Sequence, residues 1–328
     1  MTAVQEIDVR ARPLAGGERM VTIRNGSWEL DVLPATGAAL AGGRIRTSDG
    51  VWRDLLRPTR RTVLGEAEKC SSFPMVPWSN RISDGVLPFG GRTWQLQRNG
   101  ADGTAIHGAA RHTAWTVVDR TEARVVLELD TTELVGVNFP WRFRAQITYA
   151  LTGDKLTVGT SLRNIDVEPF PAGFGHHPYL QRTLSPVGSP APLTPGQPVL
   201  HVPAQKGYSL VNALANGPAG SVPPRADFRV ARPLGSAFVD DVLTAWEPGA
   251  PVRISYDELG VNLDLHADPV YAHLVVYAPR RRPYFAVEPV TNVNNGFSLH
   301  AAGVPGTGVF VLDPGEERCG AFTMTLSS

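Results

Sequence analysis

Two segments of the sequence place a side chain capable of proton transfer among apolar residues. In PAGFGHHPYL (Pro171–Leu180), His177 precedes a proline, which biases the histidine toward an extended backbone and a stiff setting. In PYFAVEPVT (Pro283–Thr291), Glu288 ends an apolar run. Partial burial raises the pKa of a carboxyl group, which suits a general base near neutral pH. An imidazole and a carboxylate in such settings could serve as a general acid and a general base.

Each of these segments also has an ordinary structural interpretation. His177 could be a core histidine hydrogen-bonded to the backbone, and Glu288 could lie in a solvated turn after its strand ends. His176 is adjacent to His177, and neighbouring residues of a strand point to opposite faces. The two imidazoles are therefore not expected to bind one metal ion, and which of them takes part in chemistry stays open.

Two more segments combine groups that suit a carbohydrate. Trp78, Asn80 and Arg81 lie in PWSNRI before a turn, and His107 lies in IHG. Aromatic rings stack on the apolar faces of sugars, while amide, guanidinium and imidazole groups hydrogen-bond to hydroxyls. Each segment taken alone is also common as ordinary structure.

Short strands must position these side chains, because the chain has 33 Gly and 28 Pro among its 328 residues. Both residue types interrupt helices. Alternation of apolar and polar residues, as in VNLDLHA (Val261–Ala267), predicts half-buried strands. We therefore expect an all-β protein, with short helices near Val63–Lys69 and Phe297–His300.

The organisation is interpreted as one domain over residues 1–328. Residues 1–18 are expected to form an N-terminal extension. The proline-rich stretch 185–203 is expected to be a surface excursion rather than a domain linker, since strand-like segments lie on both sides of it.

Charge and motifs narrow the class of protein. Lys plus Arg and Asp plus Glu both number 31, so the charge does not point to nucleic acid or an anionic membrane as a partner. Neither a phosphate-binding glycine motif nor HExxH is present, and Cys70 and Cys319 lack metal-like spacing, so neither a cofactor nor a metal is predicted. The N-terminus has no apolar signal segment, and no apolar run reaches the roughly 18 residues of a membrane span. These features predict a cytoplasmic protein.

Five segments, in this order, resemble the prokaryotic branch of the aldose 1-epimerase (galactose mutarotase) family. They are FPMVPWSNRI (73–82) with Gly85, IHG (106–108) with Trp115, residues 164–180, FVDD (238–241), and VEPVT (287–291) with Asn294 and Asn295. The resemblance covers roughly residues 19–326. It implies a single large antiparallel β-sandwich, the galactose mutarotase-like supersandwich, with few short helices and an open sugar cleft.

The resemblance also implies a role for each catalytic candidate. His177 matches the acid that protonates the sugar's ring oxygen, and Glu288 matches the base that removes the proton of the C1 hydroxyl. His176 precedes the matching histidine where many members carry another residue, so the choice between the two histidines needs checking.

The expected substrate-binding residues are implied in the same way. His107 and Arg81 match residues that hold the ring oxygen and hydroxyls of the sugar, and Asn80 belongs to the same segment as Arg81. Asp240 matches a carboxylate that accepts hydrogen bonds from sugar hydroxyls, although Asp241 beside it makes that alignment ambiguous by one residue.

These features predict a cofactor-independent isomerase that interconverts the α and β anomers of a monosaccharide. The sugar and the oligomeric state stay open. One alternative is a hexose 6-phosphate or other anionic sugar as substrate, for which Arg280–Arg282 or Arg60–Arg61 could supply a cationic rim. The other alternative is a non-catalytic carbohydrate-binding module of the same fold.

Overall fold

The computed structural model describes residues 20–190, 192, 194, 196–247 and 249–327. Strands in the first half of the chain are β1 (Val21–Arg24), β2 (Trp28–Leu33), β3 (Ala39–Arg46), β4 (Trp52–Asp54), β5 (Pro74–Met75), β6 (Arg81–Ile82), β7 (Val86–Phe89), β8 (Arg92–Gln95), β9 (Ala105–Ile106), β10 (Thr116–Arg120), β11 (Arg124–Asp130), β12 (Phe143–Thr152) and β13 (Lys155–Asn164).

Strands in the second half are β14 (Phe170–Ala172), β15 (Gly175–His176), β16 (Tyr179–Gln181), β17 (Val199–His201), β18 (Ala204–Gly207), β19 (Leu210–Val211), β20 (Leu214–Ala215), β21 (Arg232–Pro233), β22 (Val239–Trp246), β23 (Val252–Tyr256), β24 (Val261–Ala267), β25 (His273–Ala278), β26 (Tyr284–Val290), β27 (Phe310–Leu312) and β28 (Glu317–Ser327). The helix α1 (Gly296–Ala301) is joined by 3-10 turns at Arg61–Val63, Ala67–Lys69, Ser83–Gly85, Ala110–His112, Pro224–Ala226 and Asp257–Leu259.

Two large antiparallel sheets organise the described residues. The nine-stranded sheet has the order β10-β11-β12-β13-β28-β24-β23-β17-β21. The seven-stranded sheet has the order β18-β22-β25-β26-β15-β5, with β16 also paired to β26. The neighbouring strands of both sheets run antiparallel. The expected all-β antiparallel sandwich with few short helices is confirmed.

The two large sheets pack face to face through apolar side chains that alternate along their strands. In β12, residues at every second position are buried and their neighbours are partly exposed. These residues share one apolar cluster with the inward residues of β25 and β26, including Ile147, Val276 and Val287. Because burial of one such side chain contributes about 1.5–3 kcal/mol, this shared cluster holds the sheets together.

His176 lies inside this inter-sheet core. Its Nε2 is 2.9 Å from the Thr160 hydroxyl on β13, so the contact joins the two sheets. The ring packs edge-on against Tyr149 and Phe322 of the nine-stranded sheet. Burial lowers the pKa of His176 to about 3, because the apolar surroundings penalise the charged imidazole.

The strand β24 begins and ends where the alternation predicts, and α1 lies at the expected short helix. The strand β3 contains Gly42 and Gly43, which are unfavourable in strands. A Cβ at Gly43 would lie 2.6 Å from the Leu56 side chain, so tertiary packing rather than strand propensity selects glycine there.

The single-domain interpretation stays a prediction. The expected N-terminal extension, residues 1–18, lies outside the described residues. Residues 186–190, 192 and 194 of the proline-rich stretch are exposed. The end of that stretch forms β17, which pairs with β21 and β23 of the nine-stranded sheet.

The variant His176→Asn should weaken the dependence of stability on acid. Below about pH 6.5 the unfolded chain binds a proton on His176 that the native state excludes, so the native state loses about 1.4 kcal/mol per pH unit from this group. We expect the free energy of unfolding, measured by urea titration between pH 4.5 and 6.5, to fall less steeply in the variant. His266→Asn, at an exposed position, is the control. Equal slopes for His176→Asn and the unmodified chain would contradict the assignment.

Candidate active site

A polar cleft of about 160 Å³ lies on the face of the seven-stranded sheet that points away from the nine-stranded sheet. It brings together all six residues expected from the sequence. The lining residues are Asn80, Arg81, His107, His177, Tyr179, Asp240, Val275, Tyr277 and Glu288.

Strand register explains why residues from three strands share this face. Asp240 pairs with Tyr277, and Val275 pairs with Glu288, so these four side chains point to the same side. The intervening register row, which contains Val276 and faces the inter-sheet core, points to the other side. A shift of one residue in either pairing would move the carboxylates out of the cleft.

His177 and Glu288 meet at the bottom of the cleft. His177 Nε2 lies 3.1 Å from Glu288 Oε1, and their side chains are only 7% and 2% exposed. His177 Nδ1 and Glu288 Oε2 are buried, and no described residue offers either atom a hydrogen bond. The pair therefore contains buried polar atoms that a bound polar ligand could satisfy.

Burial pushes the pKa values of this pair in opposite directions. Loss of solvation raises the pKa of Glu288 well above its usual range, and the negative charge of Asp240 raises it further. Loss of solvation, with the charge of Arg57 next in size, lowers the pKa of His177 to about 3. These surroundings therefore favour a proton on Glu288 and a neutral imidazole at His177.

Adjacent histidines lie on opposite faces of the seven-stranded sheet, as alternation predicts. His177 faces the cleft, whereas His176 faces the inter-sheet core. The structure thus places only His177 against Glu288.

Adjacent aspartates are separated by the same alternation. Asp240 lines the cleft, and burial raises its pKa. Asp241 is 1% exposed and accepts two hydrogen bonds from Arg225, at 2.7 and 2.8 Å. Asp241 is therefore occupied in an ion pair outside the cleft. Both aspartates lie within β22.

A short loop pair supplies the opposite wall of the cleft. The strands β6 and β9 pair, and the backbone N–H of His107 donates to the carbonyl of Asn80 at 2.9 Å. Arg81 donates to Asn80 Oδ1 at 3.0 Å and to Asp102 Oδ2 at 2.8 Å. Asn80 and His107 both have positive φ, at 56° and 62°. These bonds hold three polar side chains in a backbone conformation that local propensity disfavours.

The loop that carries Asn80 is held by the chain just after Glu288. The Ser79 hydroxyl donates to the Asn292 carbonyl at 2.8 Å, and the Asn292 side chain donates to the Ser79 carbonyl at 3.0 Å. The backbone N–H of Asn295 donates to the Arg81 carbonyl at 2.7 Å. The sugar-binding candidates and Glu288 therefore depend on one hydrogen-bonded unit.

Glycines next to the candidate residues permit close backbone approach. A Cβ at Gly108 would lie 2.2 Å from the Val76 carbonyl oxygen, and its φ is 75°. A Cβ at Gly175 would lie 2.7 Å from Val290. Any larger residue would displace the segments that carry His107 and His177.

Sequence reasoning missed three residues that line the cleft: Tyr179, Val275 and Tyr277. Tyr179 follows His177 by two residues, so strand alternation could have placed it on the same side. Val275 and Tyr277 could not be found from the sequence, because their place depends on the pairing of β25 with β22 and β26.

The described residues contain neither a cluster of metal ligands nor a membrane-spanning helix. Among them, no three His, Cys, Asp or Glu side chains are arranged to hold a metal ion. In the same part of the chain, no helix has the length and apolar character needed to cross a membrane.

Comparison with known proteins identifies the same family that the sequence motifs resemble. Residues 19–325 match the family model described as aldose 1-epimerase. The uncharacterised protein YphB of Escherichia coli K12 is 31% identical over 255 residues, which cover 76% of this chain and 77% of YphB.

Solved structures share the fold. A galactose mutarotase-like protein from Clostridium acetobutylicum superposes with a TM-score of 0.79 at 18% identity, over 94% of this chain and 95% of that chain. The aldose epimerase homologue from C. elegans has a TM-score of 0.78 at 18% identity, over 94% and 98%. The chain therefore belongs to the aldose 1-epimerase family.

Proposed function

We propose that this protein is an aldose 1-epimerase that interconverts the α and β anomers of a monosaccharide. The contact between His177 Nε2 and Glu288 Oε1, 3.1 Å apart within a cleft of sugar-binding groups, is the observation that carries the proposal. The reaction is an isomerisation, so the sugar supplies every atom and no redox cofactor is required. We place the activity in the cytoplasm, as the sequence predicts.

The reaction needs one proton removed and one proton delivered. Glu288 takes the proton of the C1 hydroxyl as the bond between C1 and the ring oxygen breaks, and His177 delivers a proton to the ring oxygen. The product is the open-chain aldehyde. Rotation about the C1–C2 bond presents the other face of the carbonyl, and the reverse transfers close the ring. Each positioned proton transfer contributes roughly 10²–10⁴-fold in rate.

The number of protons held by the His177–Glu288 pair suits this cycle. A protonated Glu288 beside a neutral His177 carries as many protons as an ionised Glu288 beside a protonated His177. Transfer of one proton across the 3.1 Å contact interconverts the two states. A bound sugar that hydrogen-bonds to the carboxylate favours the ionised state, which is the one that the mechanism uses.

The remaining polar residues suit recognition of hydroxyl groups. Arg81 supplies donors, Asp240 supplies acceptors, and Asn80 and His107 can supply both. His107 Nδ1 is buried, and no described residue hydrogen-bonds to it. We assign these four residues to substrate binding.

Glu288→Gln should abolish most of the activity. The amide keeps the shape of the side chain but cannot accept the proton, so we expect the enzymatic rate constant to fall at least about 100-fold. The measurement is polarimetry or saturation-transfer NMR on freshly dissolved α-anomers, with spontaneous anomerisation subtracted. Glu258→Gln, at an exposed carboxylate, is the control.

A fully active Glu288→Gln variant would remove Glu288 from the proposed role. If the unmodified protein accelerates anomerisation of none of several aldoses, the proposed function is wrong. Saturable sugar binding without acceleration would support the non-catalytic binding module instead.

Asp240→Asn and Asp241→Asn should have different effects although the residues are adjacent. Asp240→Asn weakens acceptance from sugar hydroxyls, so we expect KM to rise roughly tenfold, as for about 1.4 kcal/mol of lost hydrogen bonding. Asp241→Asn leaves Arg225 without its charged partner, so we expect a lower melting temperature and an unchanged KM. Steady-state kinetics and thermal unfolding separate the two effects. A raised KM in Asp241→Asn alone would reverse the assignment.

A second candidate substrate is an anionic sugar such as a hexose 6-phosphate. The run Arg280–Arg282 is exposed in the turn between β25 and β26. The charge of Arg282 lowers the pKa of Tyr277, a cleft residue, although burial outweighs it and the net shift is upward. A cation that acts on a cleft residue supports an anionic substituent on the sugar.

Glucose and glucose 6-phosphate should be compared in one assay with the variant Arg282→Gln. If the anionic sugar is the substrate, its kcat/KM should exceed that of glucose, should fall several-fold in Arg282→Gln, and should decrease with added salt. Arg253→Gln, in β23 of the nine-stranded sheet and away from the cleft, is the control. A preference for glucose that Arg282→Gln does not alter would exclude the second candidate.

A further inference from the structure

The orientation of the His177 ring needs an explanation beyond hydrogen bonding. The ring points Nε2 at Glu288 Oε1, and its Nδ1 is buried without a hydrogen-bond partner among the described residues. A catalytic imidazole is commonly oriented by a hydrogen bond to its second nitrogen. No described residue makes that bond here, so the contact of Nε2 with Glu288 and the packing around the ring set its plane.

Two aromatic rings flank the imidazole of His177. Phe73 stacks on it with 5.1 Å between ring centres and an interplanar angle of 24°. Tyr179 lies at 4.3 Å with an angle of 38°. The backbone N–H of His177 also donates to the Phe73 carbonyl at 3.0 Å. Rotation of the imidazole out of this plane would drive it into one of the rings.

A guanidinium lies over the Tyr179 ring. The Cζ of Arg57 is 3.8 Å from the centre of that ring and 4.6 Å from the centre of the Tyr284 ring. Its Nη2 donates to the Cys70 carbonyl at 2.6 Å. Within the described residues, no carboxylate lies within 4.0 Å of the Arg57 guanidinium. Its contacts are therefore two rings and a carbonyl rather than a carboxylate.

The distances of Arg57 and His177 from the Tyr179 ring define the order in which the three groups stack. One face of a phenol ring has room for one planar group at about 4 Å, so the Arg57 guanidinium and the His177 imidazole lie on opposite faces of Tyr179. The groups form one stack in the order Arg57, Tyr179, His177. Arg57 is thus held at a set distance from the imidazole without touching it.

We propose that Tyr179 and Arg57 are positioning residues for His177, with the Tyr179 ring setting the plane of the imidazole and the Arg57 guanidinium packed on the other face of that ring. The proposal rests on the proposed function, because it assigns how the acid of that reaction is oriented and tuned.

Several charged or titratable groups surround His177 besides Arg57. Glu288 and Tyr179 contact the imidazole directly. The rings of His107 and Tyr277 lie with their centres 5.5 and 6.2 Å from its centre. The charges of Arg81 and Arg111 also lower the pKa of His177, and Asp240 acts on it through Glu288. Arg57 exerts the largest of the cationic effects on the pKa of His177. Its removal is therefore the most direct test.

Arg57→Gln should shift both limbs of the pH–rate profile to higher pH. The His177–Glu288 pair is active while it holds one proton, so the rate falls when the pair gains a second proton or loses the first. A nearby cation opposes protonation in both steps, and its loss should raise both apparent pKa values by roughly 0.3–1 unit. Gln can still donate to the Cys70 carbonyl, and Arg57→Lys keeps the charge and should leave the limbs in place.

Arg253→Gln removes the same charge from the nine-stranded sheet, far from the cleft, and is the control for net charge. If Arg57→Gln lowers kcat but leaves both limbs where they are, the electrostatic part of the proposal is overturned.

Tyr179→Phe and Tyr179→Leu test the role of the ring. Phe keeps the stacking surface, so we expect kcat within about threefold of the unmodified protein. Leu removes it, so we expect kcat to fall at least about tenfold with a smaller change in KM. Equal losses in both variants would assign the effect to the hydroxyl and overturn the stacking role.

A titration of His177 by NMR separates this inference from the proposed function. The imidazole ¹³Cε1 signal, assigned with His177→Asn, should titrate at higher pH in Arg57→Gln than in the unmodified protein, with or without sugar. If the unmodified protein shows no epimerase activity but the signal still shifts, the function fails and the coupling stands. An unshifted signal in a folded Arg57→Gln protein overturns the coupling.

Discussion

The alternation of side chains across the seven-stranded sheet is the constraint on which the rest of the structure depends. One face must pack against the nine-stranded sheet, and Val276 and Val287 are inward members of that core. The neighbours of these two residues along β25 and β26 necessarily point outward, and those neighbours include Val275 and Glu288. The burial that stabilises the sandwich therefore also fixes which side chains face the cleft.

Burial of the candidate acid and base has a second consequence. Loss of solvation and neighbouring charges raise the pKa of Glu288 and lower the pKa of His177, which favours the arrangement in which both groups are neutral. The charge of Asp240 raises the pKa of Glu288 further, and the charge of Arg57 lowers the pKa of His177 further. A bound polar ligand can alter both effects.

Glycine has a local role beyond its effect on overall composition. Close packing at Gly108 and Gly175 brings the segments carrying His107 and His177 against neighbouring backbone. The hydrogen bonds between Ser79 and Asn292 tie the loop of Asn80 to the end of β26. The two walls of the cleft are thus parts of one rigid unit, which suits reaction geometry better than mobile loops would.

The residues that could do chemistry were recognisable from the sequence alone. His177 and Glu288 stand out because burial of a titratable group in an apolar strand costs free energy unless the group is paired or hydrogen-bonded. The all-β class follows from the Gly and Pro content and from strand alternation. Tertiary structure decided what local pattern could not: Asp240 rather than Asp241, His177 rather than His176, and the presence of Tyr277 in the cleft. Those choices depend on strand register and on which sheet face is buried, and register is set by pairing between segments distant in the chain.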